Sequence, residues 1–532
     1  MDSYNGTKGD FSFMDINTSY KIQEPLNRQS VKTSDGKSDG IKDSVSISRG
    51  NIEGTCIIMP PRNFTCSAAG ISAMELKEEN LKNQNVKIEE KFSSLGAFVA
   101  KLEPSQKEEL QKAGYNVYED KVERWIPEPS LEEELQSAPS SEESPLSKLR
   151  TEHKGIFETH DPVFEKYTGK GVGIAVIDTG IYPHPDLGDR ITGWVDMVND
   201  KAVPYDDGGH GTHVAGDAAG NGKLSGGKYR SFAPDANLIG IKVLAGNGNG
   251  TTSALLKGIE WAIKHKDEYN IKVINVSIGH QAADYSQDPT DLALEEAVKA
   301  GITVVTAAGN YGPNQGTVSA PGDDPFLITV GGTDNRDTAD KTDDTILSCS
   351  STGPTPMGLT KPDILAPGEQ VISPLSPGSN AEKDALSMAE KFESYKFLNS
   401  LTDEQLMKIP DKDLAGYGFW ESTIKEFKSS PQAARKVLER NIYYQSRMPL
   451  LEKSAYVGLS GTSMATPLVS GLVAAMYEAN PFLTPGEVKN ILMSTADKIS
   501  TLNDNQQGAG YFDPKEAVLK AEELKNLKQQ IS

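Results

Sequence analysis

Three residues in this chain could together make a peptide-cleaving centre, and they lie far apart: Asp178, His210 and Ser463. A serine hydroxyl is a weak nucleophile until an imidazole takes its proton. The imidazole in turn needs a carboxylate to fix its tautomer and stabilise the cation. Each has an ordinary alternative. Asp178 ends the apolar run AVID, where an acid can cap a following helix. His210 opens HGTHVAG (210–216), where a glycine lets the chain turn into a helix, and a histidine there can be structural. Ser463 sits in LSGTSMATPLVSGLVAAMY (459–477) on a small-residue turn before an apolar helix, a usual place for an N-cap. What separates the readings is that all three types fall at ends of core elements, in the order Asp, His, Ser, one of the known chain orders of this triad.

The elements around them are strands and helices in alternation. From residue 151, GVGIAVIDTG (171–180), ANLIGIKVL (236–244), IKVINVSIG (271–279), GITVVTAAGN (301–310) and FLITVGG (326–332) are near-continuous β-branched runs, as expected of strands buried on both faces of a parallel sheet. TTSALLKGIEWAIKHK (251–266) and DLALEEAVKAG (291–301) read as intervening helices. The prediction is an α/β domain with a doubly wound, mainly parallel sheet and its site at the carboxyl ends of the strands.

Other stretches differ. Residues 1–53 are rich in Ser, Asp, Gly, Lys and Asn and read as a disordered or loosely packed extension. Residues 54–125 follow the order β-α-β-β-α-β of a small α+β ferredoxin-like sandwich, with YNVYEDKVERW (115–125) as its closing strand. Residues 126–150 are Pro-, Ser- and Glu-rich, an exposed linker open to cleavage. Residues 379–454 form a helical block that interrupts the α/β domain, which spans 151–378 and 455–515; residues 516–532 read as a C-terminal helical tail.

Composition narrows the classes. Lys and Arg total 54 against 75 for Asp and Glu, a formal charge of −21, so the chain lacks the basic surplus of a nucleic-acid binder. The apolar stretch at 468–477 is half the length of a membrane span. MDSYNGTKGDFSFMD has no basic-then-apolar leader, which predicts a cytoplasmic chain, with release from the cell left open. Cys56, Cys66 and Cys349 imply no disulfide framework; a Cys56–Cys66 bridge is possible on spacing, with free thiols the preferred reading.

VIDTGIYPHPDL (176–187), HGTHVAG (210–216), AAGN (307–310) and GTSMATP (461–467) resemble the four signature blocks of the subtilase family. GIYPHPDL, PYDDGGHGTH, YRSFAPDANLIGIKVL and KPDILAPG look most like its leaderless bacterial alkaline-protease-like branch. The resemblance implies a serine endopeptidase working through an acyl-enzyme, with Asp178 orienting His210, His210 as base and then acid, and Ser463 as nucleophile. His213 is then structural. Asn310 matches the side chain that, with the Ser463 N–H, binds the oxyanion; it could equally be a turn residue after Gly309. Ser277, Ile278 and Gly279 should offer a strand edge to an extended peptide, and Ala307, Ala308 and Gly309 should wall the pocket beside the scissile bond. His280 departs from the small residues common there in relatives. The chemistry implies no cofactor; a structural calcium is possible, with Asp186 as a candidate ligand or a plain structural aspartate. By the same resemblance, 54–125 is a propeptide that acts as an intramolecular inhibitor until the chain cuts itself within 126–150. The partners implied are protein or peptide substrates, with no nucleic acid and no membrane. The insertion 379–454 is either a lid over the leaving-group side of the cleft or a surface addition without effect. The rival readings are a catalytically silent regulator or scaffold, and a signalling protease with one target.

Overall fold

The computed structural model describes residues 54–59, 78–126 and 155–531, except 337, 339–340 and 342–343. The reading of 1–53, most of the linker, Cys66 and residues 60–77 of the small module lies outside these residues. Among the described residues no helix is long and apolar enough to cross a membrane.

The large domain is built on a parallel sheet. Its central strand β6 (Gly173–Asp178) lies between β10 (Ile271–Val276) and β8 (Asn237–Lys242), and β7 (Ile191–Asp196) closes that edge. Beyond β10 come β11 (Thr303–Ala307) and β12 (Ile328–Asp334), the latter paired with β14 (Ile364–Pro367) and with the short antiparallel β13 (Thr345–Ile346). The β-branched runs are buried on both faces because helices cover both. His210–Ala219, Thr462–Ala479 and Pro514–Ile531 pack one side, and Thr252–Lys264 and Pro289–Lys299 the other. The C-terminal helical tail is the helix Pro514–Ile531, and its Ala517, Val518 and Ala521 are fully buried in the core.

The small module forms an antiparallel sheet in the order β2 (Ile88–Phe92), β3 (Ala97–Lys101), β1 (Thr55–Met59), β4 (Asn116–Glu119). Alternation along its strands splits two cores. Cys56, Ile58, Phe98 and Ala100 face the module's own helix Pro104–Lys112. Ile57, Met59, Ala97 and Val99 join Leu255, Leu256, Ile259 and Leu294 of the large domain. Polar contacts fix the same surface. Asp120 accepts from the N–H and Oγ of Ser253 at 3.0 and 2.6 Å, at a helix start that favours negative charge. Glu260 accepts from the Ser94 N–H at 2.9 Å, and Lys257 pairs with Glu90 at 2.7 Å.

One expectation fails here. The closing strand of the module is two strands, because Asp120 is drawn onto the Ser253 helix end and redirects the chain. β5 (Val122–Arg124) leaves the module and pairs antiparallel with β9 (Asn249–Thr251) of the large domain.

The helical insertion has its own core of Tyr395, Leu398, Leu406, Leu414, Phe427, Val437, Leu438 and Ile442. It leaves from β15 (Val371–Pro374) and returns through the short β16 (Leu450–Leu451) and β17 (Tyr456–Leu459), which leads straight to Ser463. Its first turn is bonded to the loop ahead of His210, by Asn380 N–H to the Asp207 carbonyl and Ala381 N–H to the Gly208 carbonyl, both at 3.0 Å.

A second loop, after Pro321, carries a cost. Asp323 and Asp324 are fully buried, as is Asp291 at the start of the helix beside them. Both carboxylate oxygens of Asp291 and Asp323 lack a donor. Burial first, and then neighbouring carboxylates, push Asp323 and Asp324 each up to about 7 and raise Asp291 well above the usual range. Between an unfolded value of about 4 and that folded value, the native state holds protons that the unfolded chain has lost, so stability falls as pH rises through this window. Asp323→Asn should therefore raise the melting temperature by a few degrees at pH 8 and leave it nearly unchanged at pH 4, read by circular dichroism.

Candidate active site

Asp178 is the last residue of β6 and is fully buried; both of its oxygens face His210 Nδ1, at 2.8 and 2.9 Å. That leaves Nε2 as the imidazole's outward nitrogen. Burial pulls the His210 pKa down, but the charge and hydrogen bond of Asp178, helped by Asp206 and Asp217, more than offset it and leave the value raised.

His210 opens its helix straight after Gly209, whose φ of 92° favours glycine, and a Cβ there would lie 2.6 Å from the Ala381 Cβ. Asp206 organises the turn. Its carboxylate accepts from the N–H groups of Gly208, Gly209 and Thr212 and from the hydroxyls of Thr212 and Thr179, all between 2.6 and 3.0 Å. Thr179 follows Asp178 directly, so one carboxylate ties the strand end to the helix start. Sequence reasoning passed over Asp206, although its place between Tyr205 and the glycine pair was a signal. His213 is fully buried, with Nδ1 2.8 Å from Asp217 and Nε2 against the carbonyls of Val371 and Val457.

Ser463 is the second residue of the helix Thr462–Ala479, reached through Gly461. Its Oγ donates to the Ser277 carbonyl at 2.9 Å, and Ser277 Oγ returns a bond to the Ser463 carbonyl at 2.9 Å. As an early helix residue its N–H has no intrahelical acceptor, and the helix N-terminus favours negative charge. Asn310 lies beside it. Its Oδ1 accepts from the Thr462 N–H at 2.9 Å and the Thr462 hydroxyl at 3.0 Å, which fixes the amide and frees its NH₂ to donate. Gly461 must approach this amide: a Cβ there would be 3.1 Å from Asn310 Nδ2.

The other sequence-nominated residues fall around these. Gly279 and Gly309 both pack against Ser319: added Cβ atoms would come within 3.0 and 2.2 Å of its Oγ, so this close approach requires glycine at both positions. Ile278, Ala307 and Ala308 are buried behind it. The strand edge at 277–279 is already in use, since Gly279 N–H donates to the Trp125 carbonyl at 2.9 Å, and Trp125 N–H donates to the Gly248 carbonyl at 3.0 Å. The resemblance implies that the C-terminal end of the module lies in the cleft as a substrate would; it does not single out Trp125 as the residue bonded to Gly248 and Gly279.

Asp186 does not fit a calcium ligand. Its Oδ2 accepts from the Tyr456 hydroxyl at 2.6 Å and its Oδ1 from the Leu224 N–H at 3.0 Å, so the carboxylate is spent on donors. Among the described residues no group of three or more His, Cys, Asp or Glu could hold a metal ion. Cys56 is buried and unbridged.

The arrangement offers an imidazole with one nitrogen fixed by a carboxylate, a hydroxyl at a helix start and a free amide NH₂ beside it. A model of the subtilase family matches residues 169–510. Serine protease AprX of Bacillus subtilis (strain 168) is 40% identical over 362 residues, 66% of this chain and 67% of that protein. Subtilisin E of the same strain is 32% identical over 321 residues, 59% of this chain and 72% of that protein.

The raised His210 value has a kinetic sign. A base must be neutral, so kcat/KM for a peptide should fall as pH drops through a midpoint above the ordinary histidine value of about 6.5. Asp178→Asn removes the largest raising contribution and should move that midpoint down, while cutting kcat by about 10⁴ as the tautomer is lost. A pH–rate profile on a fluorogenic peptide checks both.

Proposed function

Because the chain belongs to the subtilase family and is a subtilisin-like serine protease, a hydrolase, we propose that it is an endopeptidase made as a self-processing zymogen, with Asp178, His210 and Ser463 as its triad. The observation that carries the site assignment is the bidentate contact of Asp178 with His210 Nδ1, which leaves Nε2 to accept a proton.

In this reading Ser463 Oγ turns from the Ser277 carbonyl, gives its proton to His210 Nε2 and attacks the peptide carbonyl. The oxyanion is met by the Asn310 NH₂ and the Ser463 N–H. His210 then protonates the leaving amine, and water hydrolyses the acyl-enzyme by the reverse proton path. Every step uses groups of the chain itself. Substrate lies extended along Ser277–Gly279 and β9, where backbone pairing tolerates many sequences.

Residues 122–126 support the zymogen reading. They run antiparallel along β9 as an extended peptide would, and Trp125 bridges Gly248 and Gly279, the latter two residues from the carbonyl that holds the Ser463 hydroxyl. The module 54–125 thus serves as an intramolecular inhibitor, and the cut falls within 126–150. The insertion 379–454 is proposed as a lid. Its bond from Asn380 Nδ2 to the Gly246 carbonyl at 3.0 Å sets its base beside Gly248, on the side that takes residues ahead of the cut rather than the leaving group.

Mass spectrometry of purified wild type beside Ser463→Ala tests the reading. Wild type should split within 126–150 while the variant stays whole. Two intact chains, with no peptide cleaved, would turn the assignment over to a silent regulator. Asn310→Ala should lower kcat by about 10²–10³ with little change in KM, measured on the same peptide.

A further inference from the structure

Trp125 is seated against the large domain, in the cluster that its helices share with the module. It is fully buried, its Nε1–H donates to the Gly250 carbonyl at 3.3 Å, and its ring lies over the His280 imidazole with centroids 4.8 Å apart. The floor cannot close up: a Cβ at Gly250 would stand 2.5 Å from Leu244 Cδ2 and 3.6 Å from Trp125 Cδ1. His280 is held by its backbone, which exchanges hydrogen bonds with Ala320 at 2.9 and 3.0 Å, and its Nε2 lies 3.1 Å from Asp288 Oδ2 without hydrogen-bond geometry. The other oxygen of Asp288 caps the helix Pro289–Lys299 through the Thr290 and Asp291 N–H groups, so that carboxylate is fixed too. The remaining ring nitrogen, Nδ1, faces Glu123 Oε2 at 3.9 Å. Glu123 and Trp125 are two residues apart on an extended chain and so share a face, which is why one imidazole meets both.

We propose that His280 is a specificity-determining residue of the cleft, and that it selects segments carrying an acidic side chain two residues ahead of an aromatic one. The proposal deepens the endopeptidase reading and rests on it. When the module departs, β9, Gly279, His280 and Asp288 stay behind as a slot shaped for a ring, with a nitrogen aimed at a carboxylate. The ring nitrogen Nδ1, which faces Glu123 Oε2 at 3.9 Å, can meet a substrate acid in the same place. A substrate with an aliphatic anchor loses the ring contact, and one with an amide in place of the acid loses the carboxylate that faces Nδ1.

The test is a set of fluorogenic peptides carrying Val-Glu-Arg-Trp-Ile ahead of the cleaved bond, with Glu→Gln and Trp→Leu versions, given to wild type and His280→Ala at low salt. A module still bound scales all peptides equally, so ratios of kcat/KM are unaffected by it. In wild type the Gln peptide should fall about 2–5-fold and the Leu peptide about 2–10-fold, mainly through KM. In His280→Ala the Gln ratio should approach one, while the Leu ratio should shrink but stay above one, because the Nε1–H bond to Gly250 and the burial against β9 remain. Ratios unchanged by His280→Ala overturn the proposal. Failure to cleave any peptide would sink the endopeptidase reading instead, and a second measurement then decides this one. In the uncut Ser463→Ala chain, Glu123→Gln should speed hydrogen exchange at the Trp125 and Gly279 amides when His280 is present and not in His280→Ala. Equal exchange in all variants also overturns it.

Discussion

Five hydrogen bonds converge on one buried carboxylate, and the catalytic geometry hangs from it. Asp206 binds the hydroxyl of Thr179 at the end of the central strand, two N–H groups of the glycine loop, and both polar groups of Thr212 in the first helical turn. A buried charge is tolerated only where donors surround it. Here the donors come from three segments that must be brought together to supply them, so folding the loop and positioning His210 against Asp178 are one event. Asp178 itself sits at the carboxyl end of a strand whose other residues are all buried and mostly apolar. Its charge can face only the imidazole and the turn that Asp206 has built.

The parallel sheet explains why residues so distant in sequence meet. Each strand of a doubly wound sheet delivers its following loop to the same edge. Asp178 ends β6, Ser277 follows β10, and Asn310 lies three residues beyond β11. The serine arrives differently, on the helix Thr462–Ala479 that runs back under the sheet, and it needs its own tether. The reciprocal bonds between Ser463 and Ser277 supply one, and the Thr462–Asn310 pair supplies another. Each tether also sets a site atom: the first holds the hydroxyl, the second turns the amide NH₂ outward.

The strand runs and the helical block were legible because burial on two faces and helical composition both leave a mark in residue order. Asp178, His210, Ser463 and Asn310 could be nominated because residue type, chain order and surrounding small residues all constrained them. What escaped depends on partners distant in sequence. Nothing in YNVYEDKVERW says that Asp120 finds the Ser253 helix end 133 residues away and turns the chain into a second strand. Nothing local says that both oxygens of Asp186 are taken by Tyr456 and Leu224. Residues 516–532 read as a helical tail, but a short amphipathic helix looks alike whether or not a core receives Ala517, Val518 and Ala521.

The contact between module and large domain has a consequence for how inhibition could end. Ile57, Met59, Phe92, Leu95, Ala97 and Val99 belong to the same buried cluster as the helices of the large domain. Side chains of that size contribute roughly 1.5–3 kcal/mol each when fully buried, so the module is held by far more than its strand in the cleft. Cutting the linker removes none of these contacts. It removes the tether, and so converts an intramolecular contact with a high effective concentration into a bimolecular one. In the proposed zymogen, activity would then begin when the module dissociates or is degraded, against the shared core and Trp125 in its slot. The cut makes release possible, and the packing decides when it occurs.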